Sequence, residues 1–574
     1  DDILIKSPQL TKYVSELKKT SADIERLDED ITLRRLDEVL RRNAHLRRYL
    51  EEYKQRTGVV PRFYEKLSLD MGEMEDVNIL YPVGDPIFIH VYASRGRKGE
   101  YITIQPMLTP EEEVKYREVL DIILLRAADE PTHSSENDFM NAIERLLKEI
   151  MVTGYTQTLF AKKKLVPVTA EQWGNIAFRI KRNLVQNGIL EPMLRDPYLE
   201  DIHSIGLGNI YVYHKIFGML QTNVKFRDDL DLESYLKRTS ERVGKLVTDV
   251  EPIVDATLPD GSRINIIYSD DISKAGPSFT IRKFPEKPLT MTQLSKWGTM
   301  NAEILAYLWL CLEYGMNICL SGETSSGKTT TLNALLSFVR PNAKIYSTED
   351  TPEVVIPHKV WQRLVTRETG PTEARVELFD LIKAAMRSRP DVIVVGEVRG
   401  KEGFAAFQAM QSGHQVLYTF HASSILKMIQ RFTGDPINVP VRFFDNLNVA
   451  IFQQIIYEKG RIKRRVSSID EVLGYSKEKG GVMTRTIFTW DPVMDKHHFR
   501  GIYNSYILES KIAPKLGYED VRKIYDDLAF RARILENMMD DNILGYDEVN
   551  RILKTYHEEG IEGISDKLKA ERAR

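Results

Sequence analysis

Residues Gly322-Glu323-Thr324-Ser325-Ser326-Gly327-Lys328-Thr329 carry the spacing G-x-x-x-x-G-K-[ST], and each residue type in it answers a requirement of phosphate chemistry. Glycines let a loop wrap closely enough for successive backbone N–H groups to converge on phosphate oxygens. Lys328 is placed to reach the β- and γ-phosphates of a nucleotide, and the Thr329 hydroxyl is a hard oxygen of the kind Mg2+ accepts. The loop follows the apolar run Ile318-Cys319-Leu320 and opens a segment whose Leu332, Leu335, Leu336 and Val339 share one helical face. A helix beginning there adds partial positive charge behind the phosphates. The expected ligand of Gly322–Thr330 is therefore ATP with Mg2+.

Hydrolysis needs more: a group that orients water, and carboxylates near the metal. Val392-Ile393-Val394-Val395-Gly396-Glu397 reads as a buried strand with Glu397 at its C-terminal end, where parallel sheets present their ligands. Glu397 is thus the expected water-orienting residue and a candidate Mg2+ ligand. Gly396 fills the position where a generic P-loop protein carries the metal-side Asp, so another acid is wanted. Tyr346-Ser347-Thr348-Glu349-Asp350-Thr351-Pro352-Glu353 offers Glu349 as a second catalytic acid, and Glu349 and Asp350 as metal-side carboxylates. His414 and His421 bracket a further apolar strand; only His421, at its C-terminal end, falls on the ligand side.

The elements needed to position these residues are legible around them. From about residue 290, unbroken β-branched runs such as Val392–Val395 and Val416–Thr419 alternate with helical segments, the pattern of a parallel sheet covered on both faces. The expected fold class is α/β: a RecA-like P-loop domain over 285–505, preceded by α+β domains and a helical arm. The expected division is a charged helical arm at 1–56, a small α/β module at 57–165, an α+β domain at 166–284 and a helical extension at 506–574. Two prolines in Phe284-Pro285-Glu286-Lys287-Pro288 mark the linker into the P-loop domain.

Composition narrows the function classes. Lys plus Arg at 80 nearly balances Asp plus Glu at 83, so no overall basic excess steers the chain onto nucleic acid. Arg461, Lys463, Arg464 and Arg465 form one local basic cluster, expected to be a solvated face or a partner contact. The two cysteines, Cys311 and Cys319, exclude a four-cysteine zinc site and are expected in the core. Ile304–Leu320 is interrupted by Glu313 and Asn317, so a membrane span is not expected. The N-terminal residues lack the pattern of a signal peptide, which makes a cytoplasmic protein the expectation.

Four segments in this order resemble the secretion ATPase superfamily that powers type II secretion, type IV pili, archaella and conjugative type IV secretion. Gly322–Thr330 looks like its Walker A loop and Ser347–Glu353 like its Asp box. Asp391–Arg399 looks like its atypical Walker B, and Ser412–His414 through Thr419–Ala422 like its His box. The Gly-Glu departure at 396–397 is then a family trait. Asp255–Arg263 and Thr280–Lys283 resemble segments of the archaeal and conjugation branches, in which the matching arginines reach the nucleotide; this implies that Arg263 and Arg282 close the site. The missing cysteine motif argues against the bacterial assembly branch, and Phe488-Thr489-Trp490-Asp491-Pro492 looks most like archaeal pilus, archaellum and secretion ATPases. The resemblance implies a homohexamer at the cytoplasmic membrane face, docked under a polytopic platform protein. It implies that hydrolysis drives pilus assembly or type II secretion; alternatives are an archaellum or conjugation-type ATPase and, behind these, a nucleic-acid translocase or a non-hydrolysing scaffold.

Overall fold

A computed structural model describes residues 35–68, 71–72, 74, 76–93, 99–127, 136–153, 165–284, 287–367, 374–458 and 461–572. Most of the expected N-terminal arm, residues 1–34, lies outside the described residues, as does the linker pair Pro285-Glu286. The chain forms two units, residues 1–284 and 285–574.

In the first unit, β-branched and aromatic runs give β1 (Arg62–Phe63), β2 (Val77–Pro82), β3 (Phe88–Ala93) and β4 (Glu100–Ile104). Helices Pro110–Ala127, Glu136–Ile150 and Ala170–Leu184 then gather around Val119, Ile123, Leu147, Ile176 and Ile180. The third helix starts at a capping box: the Thr169 hydroxyl accepts from the Gln172 N–H while the Gln172 side chain accepts from the Thr169 N–H. The short strands β5 (Met151–Thr153) and β6 (Val166–Val168) pair in parallel beside these helices. There follow β7 (Leu199–Ile205), β8 (Asn209–His214), β9 (Gly218–Lys225), β10 (Ile253–Thr257), β11 (Arg263–Ile267) and β12 (Ser278–Arg282). The sheet order is β1-β2-β3-β4-β9-β8-β7-β12-β11-β10, joined at its middle by parallel pairing of Tyr101 with Thr222. Strands from both sides of residue 165 therefore share one sheet.

The second unit is built on β13 (Ile318–Gly322), β14 (Ile345–Glu349), β15 (Trp361–Val365), β16 (Val392–Val398), β17 (Gln415–Phe420), β18 (Val449–Glu458), β19 (Arg461–Ser476), β20 (Gly481–Asp491) and β21 (Lys496–Phe499). Their order is β15-β14-β16-β17-β13-β18-β19-β20-β21, parallel from β15 through β18 and antiparallel beyond. Alternation along the parallel strands sends side chains to two cores. Ile318, Leu320, Val392, Val394, Leu417 and Ile451 pack on one face beneath helices Ala302–Glu313, Lys328–Leu336 and Ile524–Asp540. Cys319, Ile393, Val395, Val416, Tyr418 and Phe452 pack on the other beneath Leu378–Arg387, Glu402–Gln411 and Ile425–Thr433. Both faces are covered, so continuous apolar strands are what the sequence must supply. This is the expected α/β, RecA-like class, with the strand that leads into the phosphate loop at the centre of the sheet.

The apolar window Ile304–Leu320 divides into the helix Ala302–Glu313 and the strand β13, and among the described residues no helix is long and apolar enough to cross a membrane. Both cysteines are buried and unbridged. The helix Ile524–Asp540 packs on the helix Ala302–Glu313 that precedes β13: Arg531 lies 4.7 Å from the Trp309 ring and is ion-paired with Glu313 at 2.5 Å and Asp527 at 3.2 Å.

Candidate functional site

The helix Lys328–Leu336 begins at Gly327, whose φ of 91° suits glycine, and no side chain caps its first turn. Its leading N–H groups therefore remain available to an anion. Ser325 also sits at positive φ, 62°, a conformation held by the tight loop around it. At Gly322 a Cβ would run into the carbonyl oxygen of Gln453 and approach Ser326 Oγ to 2.8 Å, so the loop closes only with glycine there. Ser326 Oγ is buried with no hydrogen-bond partner. Glu323, Thr324 and Ser325 form the exposed crest, while Thr329 and Thr330 are half-buried behind it.

Lys328 is folded back into this loop. Its Nζ donates to the carbonyl oxygens of Glu323 at 2.9 Å and Gly322 at 3.2 Å, and lies 3.4 Å from His421 Nδ1. His421 Nε2 in turn touches Glu397 Oε1, and the other oxygen of Glu397 is held by Arg399. Burial, then the nearby Lys328 charge, push the His421 imidazole below its ordinary range, so the ring is neutral at pH 7. With the proton on Nε2, it faces Glu397 as a donor and offers Nδ1 to Lys328 as an acceptor. Lysine, histidine, glutamate and arginine thus stand in one row at the C-terminal ends of β13, β16 and β17.

Glu349 ends β14 and is 1% exposed. Its Oε1 accepts from the N–H groups of Glu353 at 2.8 Å and Val354 at 2.6 Å; Oε2 has no hydrogen-bond partner and lies 3.8 Å from Arg363 Nε. Gly396 explains itself here: a Cβ would meet Glu349 Cγ at 3.2 Å, so the missing side chain on β16 makes room for the acid of its neighbour. Asp350 follows, exposed. Burial pushes the Glu349 carboxyl up to about 7, against the lowering effect of Val354 N–H and Arg363. A raised carboxyl contributes stability that is complete below its unfolded value and is lost as pH rises through the folded one. Glu349→Gln should consequently gain stability relative to wild type between about pH 4.5 and 7, by on the order of 3 kcal/mol at the upper end. Paired thermal melts at pH 5 and pH 8 measure it; an equal offset at both would remove the titration from the account.

Other contacts tie the loop to its surroundings. Ser321 Oγ donates to the Ala422 carbonyl at 2.7 Å and accepts from Ala422 N at 3.0 Å. Asn333, on the helix behind the loop, donates to Glu353 O at 2.9 Å and accepts from Val355 N at 3.1 Å, linking that helix to the acidic segment. Arg464 and Arg465 of the basic cluster are tied into the fold rather than solvated. Arg464 Nε donates to Ser325 O at 2.9 Å and its Cδ lies against Gly327, while Arg465 is 5% exposed and clamps Asp495 at 2.7 and 2.8 Å. Period-two alternation along β19 sends Arg464 to one face and Lys463 and Arg465 to the other, where both pair with Asp495. Gln453, another residue that sequence spacing does not flag, donates to Thr331 Oγ1 at 2.8 Å.

Arg263 and Arg282 lie in the other unit as directly opposed residues of β11 and β12. Arg282 is exposed and Arg263 half-buried; Arg263 is 3.5 Å from Asp255 and Arg282 is 3.1 Å from Asp201. Among the described residues no group of three His, Cys, Asp or Glu side chains is disposed to hold a metal unaided. The oxygen groups around the loop, the Thr329 hydroxyl and the Glu349, Asp350 and Glu397 carboxylates, are hard donors of the kind Mg2+ accepts.

Residues 183–468 match the family described as Type II/IV secretion system protein. The Methanocaldococcus jannaschii protein named Uncharacterized protein MJ0900 is 53% identical over 539 residues, covering 92% of this chain and 98% of its own. The type IV secretion system protein VirB11 of Bartonella quintana is 28% identical over 221 residues, 33% of this chain and 62% of its own. The solved structure of the Legionella pneumophila ATPase DotB overlaps 64% of this chain and 94% of its own at 15% identity, with a TM-score of 0.37. The family match encloses the whole phosphate-loop site, from Gly322 to Arg464. This chain belongs to the type II/IV secretion system protein family and is an ATPase.

Proposed function

We propose that the chain is an Mg2+-dependent ATP-hydrolysing motor that works as a homohexamer docked on a polytopic membrane platform protein, at the cytoplasmic face, to drive assembly of a pilus-like filament or secretion pseudopilus. The observation that carries the catalytic part is the row Lys328–His421–Glu397–Arg399 at the mouth of an uncapped phosphate loop. Gly322 through Thr330 supply the N–H groups and hydroxyls that hold the phosphates. Lys328 exchanges its two loop carbonyls for β- and γ-oxygens, a compact cation moving between acceptors of rising charge. Thr329, with Glu397 and the acids Glu349 and Asp350 directly or through water, would hold Mg2+, which supplies charge neutralisation on the phosphates when bound. Glu397 orients and deprotonates the attacking water. Neutral His421 holds Glu397 in place and reports the position of Lys328 to it.

By the resemblance of their segments, Arg263 and Arg282 would supply guanidinium charge to the γ-phosphoryl. Replacing either by Ala leaves nucleotide affinity ordinary and lowers steady-state hydrolysis on the order of 100-fold or more. Their ion pairs are partly exposed and worth on the order of 1 kcal/mol, so the variants stay folded. Unchanged hydrolysis rates would separate both arginines from the mechanism. The motor reading is tested by following hydrolysis and oligomer mass together, with cytoplasmic loops of a candidate platform protein and with DNA. Stimulation of a hexamer by the loops and indifference to DNA are expected; stimulation by DNA alone would make it a translocase.

A further inference from the structure

The first unit contains a half-open cavity of about 1140 Å3, bounded by the helix Ala44–Thr57, the helices Pro110–Ala127 and Ala170–Leu184, and the C-terminal ends of β4 and β9. Eight arginines and lysines line it against four aspartates and glutamates, an imbalance absent from the chain as a whole. Two of the arginines stand one turn apart on the helix Ala170–Leu184 and therefore face the same way. Arg182 is 3% exposed, donates only to neutral amide oxygens, Gln105 at 2.9 Å and Asn183 at 3.0 and 3.1 Å, and makes no ion pair among the described residues. Arg179 lies 6.0 Å from the Tyr116 ring centroid, and its Nε is buried without a hydrogen-bond partner. The nearby carboxylate Glu191 is already engaged by Arg195 at 2.6 Å.

A buried guanidinium with no counter-charge is costly, and native structures pair it with an anion. Crowding by burial and by Arg179 pushes Arg182 down to about 10, the direction expected of a cation missing its partner. Arg48, Arg117 and Arg238 add further charge around the same space, which suits a multiply charged ligand better than a single carboxylate. Guanidinium forks match phosphate oxygens two at a time.

We propose that this cavity is a second anion site, distinct from the phosphate loop, which binds a phosphate ester or polyphosphate of nucleotide size through Arg179, Arg182 and Arg117. The source of the phosphate is either a soluble molecule or a lipid headgroup, and the test separates them. The full chain carrying Lys328→Ala, which silences the phosphate loop, is titrated calorimetrically with pyrophosphate at near-physiological salt. Binding is expected, and it should weaken about tenfold in Arg179→Gln and again in Arg117→Gln, each losing one charge-assisted contact. Both residues are less enclosed than Arg182, and the melting temperature of each variant checks the fold. Co-sedimentation with vesicles of phosphatidylglycerol, lost in the same variants, would assign the phosphate to a lipid; calorimetric binding without vesicle capture assigns it to a soluble ester. Absence of pyrophosphate and vesicle binding, equal binding of citrate, or binding indifferent to both substitutions would overturn the proposal.

Discussion

Glu397→Gln is expected to bind Mg-ATP as the wild type does and to lose turnover by roughly 100- to 1000-fold. Glutamine keeps the volume and the hydrogen-bonding oxygen that His421 approaches, so the row of side chains is disturbed little. What it removes is the base, together with the negative charge that Arg399 holds. Because binding is carried by the loop backbone, Lys328 and the helix start, the loss falls on the chemical step. Fluorescent-nucleotide titration and steady-state phosphate release measure the two quantities separately. Undiminished turnover would exclude Glu397 as the base.

Lys328→Ala has its largest effect on affinity. Lys328 is buried and already aimed into the loop by the carbonyls of Gly322 and Glu323, so little ordering remains when phosphate arrives. Removing it deletes charge-assisted contacts to two phosphates, worth together about 3 kcal/mol or roughly 100-fold in Kd. The free chain loses less, on the order of 1 kcal/mol, because only the Gly322 carbonyl is buried and the Glu323 carbonyl stays within reach of water. Nucleotide titration shows the first effect and a thermal melt of the free chain shows the second. Wild-type affinity in this variant would place the nucleotide elsewhere.

These two residues were legible because the chemistry they serve is local in sequence. The phosphate loop, its strand and its helix are contiguous, and a buried strand ending in Glu397 announces itself by β-branched residues. The partners that shape the site were less visible for a physical reason: they arrive by non-local strand pairing. Gln453 pairs with Gly322 from β18 and Arg464 touches the loop from β19, each more than one hundred residues further along the chain. A run of basic residues reads as a solvated face by composition, and only knowledge that it forms a strand sends Arg464 one way and Arg465 the other. Gly396 shows the same limit. It looked like the absence of an acid, whereas in three dimensions it is the space that Glu349 of the adjacent strand occupies. In the first unit, individual strands such as Phe88–Ala93 and Arg263–Ile267 followed from their residue types. The parallel pairing of β4 with β9 that merges them into one sheet leaves no local signature.

The central claim is that this chain hydrolyses ATP at the phosphate loop by way of Glu397. Its most direct test is steady-state phosphate release by the purified full chain, with ATP and Mg2+, run beside Glu397→Gln at matched nucleotide occupancy. Saturable release by the wild type and near-background release by the nucleotide-loaded variant are the predicted results. Equal rates in both, or no release by a wild type shown to be loaded with nucleotide, would contradict the account.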